Sequence, residues 1–265
     1  MAARAAVEAL LRERKLDRTL TTNLPERLQD EAVAPVGTDA LDHALSGGVP
    51  RGHVSEVVGP SSSGRTSVAW AALAAATLRG ESVALIDTFD RFDPPTAHAC
   101  GMVLSKLLWV RGQAISKTTG AIDPAWLPGV RAVNGPGTFM ERVIDRAIKA
   151  LNLVVQSGVC TMVVIDLIDV PANALRRLPA STWFRIERAI EGSDTAVLIL
   201  SAIPVARSAG GRSIQLGGDR PHVIWKGHHD RTRRVAGVRG RASIGAARWS
   251  DAPSVAIATS IVNVV

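Results

Sequence analysis

The segment GPSSSGRT, from Gly59 to Thr66, lies between a predicted buried strand and a predicted helix. It matches the phosphate-binding pattern G-x-x-x-x-G-K-[ST] at Gly59, Gly64 and Thr66, with Arg65 in the lysine position. In this pattern the glycines let backbone N–H groups surround phosphates, the lysine reaches the outer phosphates, and the hydroxyl holds Mg²⁺. The strand–loop–helix context therefore predicts an α/β fold built around a P-loop.

Strand-like and helix-like runs alternate along most of the chain, which predicts a mainly parallel central sheet flanked by helices. The predicted strands are 55–58, 83–86, 107–110, 161–165 and 196–200, and the predicted helices are 38–45, 67–78, 96–104, 140–155 and 183–190. Thr38 is expected to cap the first of these helices. Residues 112–137, which are rich in Gly and Pro, predict a long mobile connection. Extra C-terminal strands at 222–226, 233–239, 242–249 and 255–262 predict an antiparallel flank at one sheet edge.

The chain is expected to divide into an N-terminal helix and linker, residues 1–34, and a core, residues 35–265. The N-terminal helix is predicted over residues 2–15. No apolar run reaches about 18 residues, so no membrane span is expected. Cys100 and Cys160 lie outside any Cys/His motif, and both are expected to be reduced core thiols. These features predict a cytoplasmic protein, with association with the nucleoid as an open alternative.

The net charge of +7 is concentrated in a basic C-terminal segment that begins at about residue 207. Between residues 207 and 248, ten Lys and Arg stand against two Asp, so this segment accounts for the whole excess. It predicts contact with an anionic partner, either single-stranded DNA or an acidic protein surface, and a solvated face is the alternative. For Trp225 and Trp249 we favour packing in the core over stacking on bases. The arginines expected to contact a partner are Arg207, Arg212, Arg231, Arg233, Arg234, Arg239 and Arg241.

The residues expected to contact a nucleotide are Gly59, Pro60, Ser61, Ser62, Ser63, Gly64, Arg65, Thr66, Ser67 and Asp166. Thr66 would hold Mg²⁺ directly if a nucleotide binds, and Asp166 would do so through water at the end of an apolar strand. Arginine keeps the positive charge of lysine, but it is longer and planar, so its fit in a tight loop is not assured. Three alternatives stay open: a loop kept only as scaffold, binding of ATP and Mg²⁺ without turnover, and hydrolysis.

Four segments resemble the RecA family. LDHALSGGVPRGHVSEVVGPSSSGRTS, residues 41–67, is similar to the segment that leads into and forms the RecA P-loop. LIDTFDRFDP, residues 85–94, resembles the segment that carries the RecA catalytic glutamate, and in this register Phe89 takes the glutamate position. TMVVIDLIDV resembles the second acidic strand. VLILSAIPVAR resembles the strand before the DNA-contacting loop, where Ser201 and Ala202 would replace a polar pair that senses nucleotide.

Phenylalanine cannot activate water, so the resemblance implies a degenerate ATP site, and we assign no catalytic residue. With its N-terminal helix and basic C-terminal segment, the chain resembles the ImuA family of RecA-related accessory proteins. This implies a role in the DNA-damage (SOS) response, DNA repair and translesion mutagenesis. The implied partners are RecA, an ImuB-like polymerase-complex subunit, or both. Two alternatives remain open: an active DNA-stimulated ATPase of the RecA paralogue type, and a SulA-type cell-division inhibitor.

Overall fold

The computed structural model describes residues 33–112, 139–206, 208–217, 222–227, 234–245 and 254–260. The predicted N-terminal helix, all but the last two residues of its linker, all but the first residue of the predicted mobile connection, and Trp249 lie outside these ranges. The last two residues of the predicted linker form a short strand, Val33–Ala34. No described helix is both long enough and apolar enough to cross a membrane.

The described helices are α1 (Asp39–Ala44), α2 (Arg65–Leu78), α3 (Pro94–Ala99), α4 (Phe139–Ser157), α5 (Ala172–Arg176) and α6 (Ala180–Ile190). The first described strands are β1 (Val33–Ala34), β2 (Val49–Pro50), β3 (Val54–Val58), β4 (Val83–Asp87), β5 (Leu107–Arg111) and β6 (Met162–Asp166). They are followed by β7 (Ala196–Ser201), β8 (Ser213–Leu216), β9 (His222–Lys226), β10 (Arg234–Gly245) and β11 (Ser254–Ser260). Most of these bounds lie within three residues of the predicted ones.

Nine of the described strands form one sheet in the order β11-β10-β8-β3-β7-β6-β4-β5, with β9 also paired to β10. The strands from β8 to β5 are parallel, whereas β10 runs antiparallel to β8, β9 and β11. The prediction of a mainly parallel sheet with an antiparallel C-terminal flank is confirmed. In this order the carboxyl end of β3, where the glycine loop begins, lies on the same sheet edge as the ends of β4 and β6.

Two hydrophobic cores lie on opposite faces of the parallel strands, because successive side chains of a strand point to opposite faces. One core holds Val57 of β3, Leu198 of β7 and the alanine-rich face of α2. The other holds Ile165 of β6 and Ile199 of β7, together with residues of α4, α5 and α6. The apolar stripe predicted for 140–155 is buried as expected, at Val143, Ile144, Ala147, Leu151 and Val154.

Several local predictions are wrong. The helix expected over 96–104 begins earlier, at Pro94, and stops at Ala99 before Gly101, whose φ of 92° leaves the helical region. The second and third predicted C-terminal strands are one continuous strand, β10, because β11 pairs with it through residues 237–243. The sequence pattern did not predict β8. Thr38 occupies the N-cap position of α1 without a side-chain cap, and instead Asp42 Oδ2 accepts a hydrogen bond from the Thr38 N–H.

Burial also corrects two expectations about single residues. Cys160 is buried, but Cys100 is exposed, so only one of the two thiols lies in the core. Cys100 directly follows α3, which is a short helix in which only Ala97 is buried. Trp225 is 49% exposed, which contradicts the expectation that it fills the core. Its strand, β9, pairs with β10 alone, at the periphery of the sheet.

Candidate functional site

The glycine loop connects β3 to α2, and its geometry requires glycine at two positions. A Cβ on Gly59 would lie 2.4 Å from the carbonyl oxygen of Leu216 and 2.7 Å from Ser63 Oγ, so no larger residue fits. Gly64 has a φ of 98°, which is a left-handed conformation that side chains disfavour. The 14-residue helix α2 begins directly after it. Its first N–H groups have no intrahelical acceptor, so they are directed towards the loop and favour an anion there.

Arg65 is the loop residue that departs from the phosphate-binding pattern, and its side chain is only 5% exposed. Its Nη1 atom is buried without a hydrogen-bond partner among the described residues, and so is Ser63 Oγ. Burial lowers the pKa of the Arg65 guanidinium, while the charges of Asp166 and Asp169 act in the opposite direction. A buried donor without an acceptor costs free energy, so a phosphate oxygen would satisfy a group that the fold leaves unpaired. The remaining predicted loop residues, Pro60, Ser61, Ser62, Thr66 and Ser67, are exposed.

Asp87 and Asp166 are register partners at the ends of β4 and β6. Both carboxylates are held by nearby donors. Asp87 accepts from the N–H groups of Arg91 and Phe92 at 2.8 Å and from Trp109 Nε1 at 3.1 Å. Asp166 Oδ1 accepts from the Ile168 N–H at 2.8 Å.

Burial raises the pKa of Asp166 to about 6, and the negative charges of Asp87 and Asp169 add to this effect. The hydrogen bond from Ile168 and the charge of Arg65 act in the opposite direction but do not outweigh burial. Asp166 is therefore protonated in a substantial fraction of molecules near pH 6. In that state it is a weaker ligand for a magnesium-bound water than an ionised carboxylate.

Phe89 lies just beyond β4, at the position that the resemblance assigns to the catalytic glutamate. It is 3% exposed and belongs to the core that also holds Ile86 and Val143. The adjacent Asp90 is held by Arg111 through hydrogen bonds of 2.8 and 2.9 Å, and this bonding lowers its pKa. Phe89 has no group that accepts a proton, and the Asp90 carboxylate is already paired with Arg111, so neither residue is available as a general base.

These observations test whether the residues fit a nucleotide with Mg²⁺. The glycine cradle, the start of α2 and the unpaired Arg65 donor fit a phosphate chain. The groups needed to activate water do not fit, because the glutamate position is apolar and buried. Among the described residues, no cluster of three or more His, Cys, Asp or Glu side chains is arranged to hold a metal ion. The geometry of the described residues thus permits phosphate binding, and it places a buried phenyl ring at the position that the resemblance assigns to the catalytic glutamate.

Residues 203–206 and 208 follow β7, and two glutamates form hydrogen bonds to this segment. The sequence analysis did not single out either glutamate. Buried Glu56 accepts hydrogen bonds from the N–H groups of Val205 and Ala206 at 2.8 and 2.9 Å and from Ser213 Oγ at 2.6 Å. The signal in the sequence is a single acidic residue within the apolar strand VSEVV, since a buried carboxylate needs donors. This network ties the end of the segment to the centre of the sheet.

The second glutamate, Glu187 of α6, binds three groups around the same segment. Its carboxylate lies 2.7 Å from His53 Nδ1, accepts from Ser208 Oγ at 2.6 Å, and accepts from the Val54 N–H at 2.9 Å. At the start of the segment, buried Ser201 donates to the Ile203 carbonyl at 2.8 Å. Ser201, one of the two residues that replace the nucleotide-sensing pair, is therefore engaged in a local hydrogen bond.

The structure brings together only part of the predicted basic surface. Arg212, Arg239 and Arg241 are exposed, and Arg239 and Arg241 point to the same face of β10 because they are two residues apart. His222 is the register partner of Arg239, so Trp225, three residues further along β9, points to the opposite face. Trp225 and these two arginines of β10 therefore do not lie on one face of the β9–β10 pair. Arg207, Arg231 and Arg233 lie outside the described residues, and Arg234 is placed only as the first residue of β10.

A mainly parallel sheet with a glycine loop after β3 and carboxylates at the ends of β4 and β6 defines a RecA-like P-loop fold. Residues 10–118 match the family model described as RecA N-terminal domain. The chain is 35% identical over 143 residues to Protein RecA of Lactobacillus delbrueckii subsp. bulgaricus (strain ATCC 11842), covering 49% of this chain and 43% of that protein.

Two further relatives match a shorter segment more closely. The chain is 49% identical over 83 residues to Protein RecA of Chloroflexus aggregans, covering 31% of this chain and 23% of that protein. It is 48% identical over 77 residues to Protein RecA of Roseiflexus sp. (strain RS-1), covering 29% of this chain and 22% of that protein. The chain thus covers less than half the length of these relatives. It is RecA-like where they match, and their activities and partners do not transfer to it directly.

Proposed function

We propose that the chain is a RecA-like accessory protein of the DNA-damage response that acts by binding other proteins and not by hydrolysing ATP. The observation that carries this proposal is the burial of Phe89 in the core at the glutamate position. A RecA-like ATPase needs a group there that orients or activates water, and a phenyl ring cannot do this. The fold around it is intact, which favours retention as a binding module.

The proposed partners are RecA and an ImuB-like subunit of an error-prone polymerase complex, in SOS-induced translesion mutagenesis. This step rests on the resemblance of the loop and its flanking segments to RecA and on the basic C-terminal segment. Single-stranded DNA is a further proposed partner, through Arg212, Arg239 and Arg241, which are exposed on the described strands or beside them. Contacts of this kind would weaken steeply with salt, because each phosphate contact releases counterions.

Binding of the purified chain to RecA and to an ImuB-like subunit, measured by biolayer interferometry, tests the proposal. We expect binding to at least one of the two without added nucleotide. Phosphate release should stay at the level of a Thr66→Ala control, with or without single-stranded DNA. If the chain bound neither protein, or released phosphate faster than the control, the proposal would be wrong.

A second candidate function is nucleotide binding without turnover. The observation that favours it is the buried Arg65 Nη1, which has no partner among the described residues, beside a glycine cradle that no larger residue fits. Arg65 and the N–H groups of the loop and of the start of α2 would hold the phosphates, while Thr66 and Asp166 would hold Mg²⁺. An isothermal titration with ATP and Mg²⁺, compared with the Arg65→Ala variant, distinguishes this function from a loop kept only as scaffold.

A further inference from the structure

A concave surface lies between α4 and α6, which pack on the face of the sheet opposite to α2. We call it the α4–α6 groove and define it by Ile148, Asn152 and Leu153 of α4, Leu178 after α5, and Arg185 and Ile186 of α6. Its volume is about 690 Å³. This is within the range of about 300–1,000 Å³ in which binding sites usually fall.

The apolar side chains of the groove include one that solvent reaches freely. Leu153 is 69% exposed, although the neighbouring turns of α4 bury Leu151 and Val154 in the core. A single exposed leucine is common on protein surfaces. Here Leu153 borders an apolar concavity that also contains Ile148 and Leu178. A partner that buried Leu153 would therefore cover these two side chains as well.

The charges around the groove are almost all paired with each other. Asp145 and Lys149 form an ion pair at 2.7 Å, and Glu141 and Arg177 lie 3.6 Å apart. Arg185 is exposed and has no ion-pair partner in the part of the chain that the structure describes. The groove therefore offers one uncompensated positive charge beside an apolar floor.

A polar atom within the groove also lacks a partner. Asn152 Oδ1 is buried, and no described residue donates a hydrogen bond to it. A buried amide oxygen without a donor costs about 1–3 kcal/mol, so a donor from a bound partner would be favourable. This observation is independent of the exposed leucine and of the charge on Arg185, and all three groups border the same concavity.

We propose that the α4–α6 groove binds an amphipathic helix of the protein partner. Its apolar side chains would cover Ile148, Leu153 and Leu178, a carboxylate would pair with Arg185, and a donor would reach Asn152. A helix fits because the groove lies between helices and has no free strand edge, so the partner must satisfy its own backbone hydrogen bonds. A nucleic acid fits poorly, since Glu141 and Asp145 also line the groove and would repel phosphates.

This inference rests on the proposed function, because it assigns the surface through which the partner is held. Two groove variants test it, Leu153→Asp and Arg185→Glu. Two matched controls lie outside the groove. Leu78→Asp alters a leucine of α2 that is 68% exposed, and Arg188→Glu alters another exposed arginine of α6. The affinity of each variant for RecA and for the ImuB-like subunit is measured, together with its urea unfolding midpoint.

We expect each groove variant to bind its partner at least about tenfold more weakly, while the controls change affinity less than about twofold. If the wild-type chain binds and the groove variants bind equally well, the groove inference is overturned and the proposed function stands. If the wild-type chain binds neither protein, both fail. A lower unfolding midpoint in the groove variants alone, or self-association that Leu153→Asp abolishes, would assign the groove to the chain's own fold or to a second copy and overturn the inference.

Discussion

Replacing Asp166 with asparagine should stabilise the protein above neutral pH and leave it almost unchanged in acid. Asp166 has a pKa of about 6 in the folded protein, against an ordinary value of 3.8, mainly because burial disfavours its charge. A difference of about 2.2 pKa units corresponds to about 3 kcal/mol. Because the folded state binds this proton more tightly than the unfolded chain, the contribution of Asp166 to stability is greatest below pH 3.8. It falls as pH rises through about 6.

Asparagine keeps the shape of the protonated side chain and can still accept from the Ile168 N–H through Oδ1. It cannot ionise, so the variant escapes the cost of the buried charge. We therefore expect the unfolding free energy of Asp166→Asn to exceed that of the wild type by up to about 3 kcal/mol at pH 8. The advantage should stay near this value down to about pH 7 and shrink as the pH falls below about 6.

The assay is urea unfolding of both proteins at pH 5, 6, 7 and 8, with the difference in unfolding free energy plotted against pH. Titrating groups that do not interact with Asp166 contribute equally to both proteins and cancel in this difference. Asp145→Asn is the matched control, because Asp145 is exposed on α4 and forms only a surface pair with Lys149. Its difference should be small and flat. A flat difference for Asp166→Asn, or a variant less stable than the wild type at pH 8, would refute the reasoning.

Four further substitutions probe the same region. Gly59→Ala should lower the unfolding free energy by about 2–4 kcal/mol, because its Cβ would lie 2.4 Å from the Leu216 oxygen. Gly64→Ala meets no atom within 4 Å and should cost only about 1–2 kcal/mol for its left-handed backbone. Glu56→Ala should cost about 3 kcal/mol or more, because three donors lose a buried acceptor. Phe89→Glu should cost about 3–5 kcal/mol and restore no ATPase activity, because the side chain points into the core.

Urea unfolding checks the stabilities, and a phosphate-release assay checks the activity. Equal losses for the two glycine variants would show that the loop does not pass close to Leu216. A loss of less than about 1 kcal/mol for Glu56→Ala would mean that water replaces the lost acceptor. Phosphate release by Phe89→Glu above that of a Phe89→Gln control would show that residue 89 reaches the nucleotide site.

Sequence reasoning predicted the class of fold and the main elements well, because their signals are local. The glycine loop has a strict spacing. The periodic apolar residues of α4 and the short apolar runs of β3, β4 and β6 are each visible within a few neighbouring residues of the sequence. The same reasoning failed where a neighbour distant in sequence decides the outcome. Two predicted strands join into β10 because β11 pairs along both of them. The helix α3 ends where it does because the backbone at Gly101 leaves the helical region.

The candidate site was predicted in part. The loop positions, the Asp166 strand end and the unusual Arg65 and Phe89 were visible in the sequence. That Phe89 is buried in the core, and that Asp87 and Asp166 share a register position, was not. The donors around Glu56 are about 150 residues away from it along the chain, so no local pattern could reveal them.

By itself, the sequence determined that this chain builds a P-loop sheet and that its glycine loop and glutamate position depart from the RecA pattern. Those conclusions depend on residue identity and spacing within short segments. Only the tertiary structure decided that Cys100 is exposed, that Trp225 and Arg239 point to opposite faces, and that Leu153, Asn152 and Arg185 border one groove. Exposure and mutual distance depend on which remote segments pack together, because the same residue is buried or solvated according to its neighbours in space.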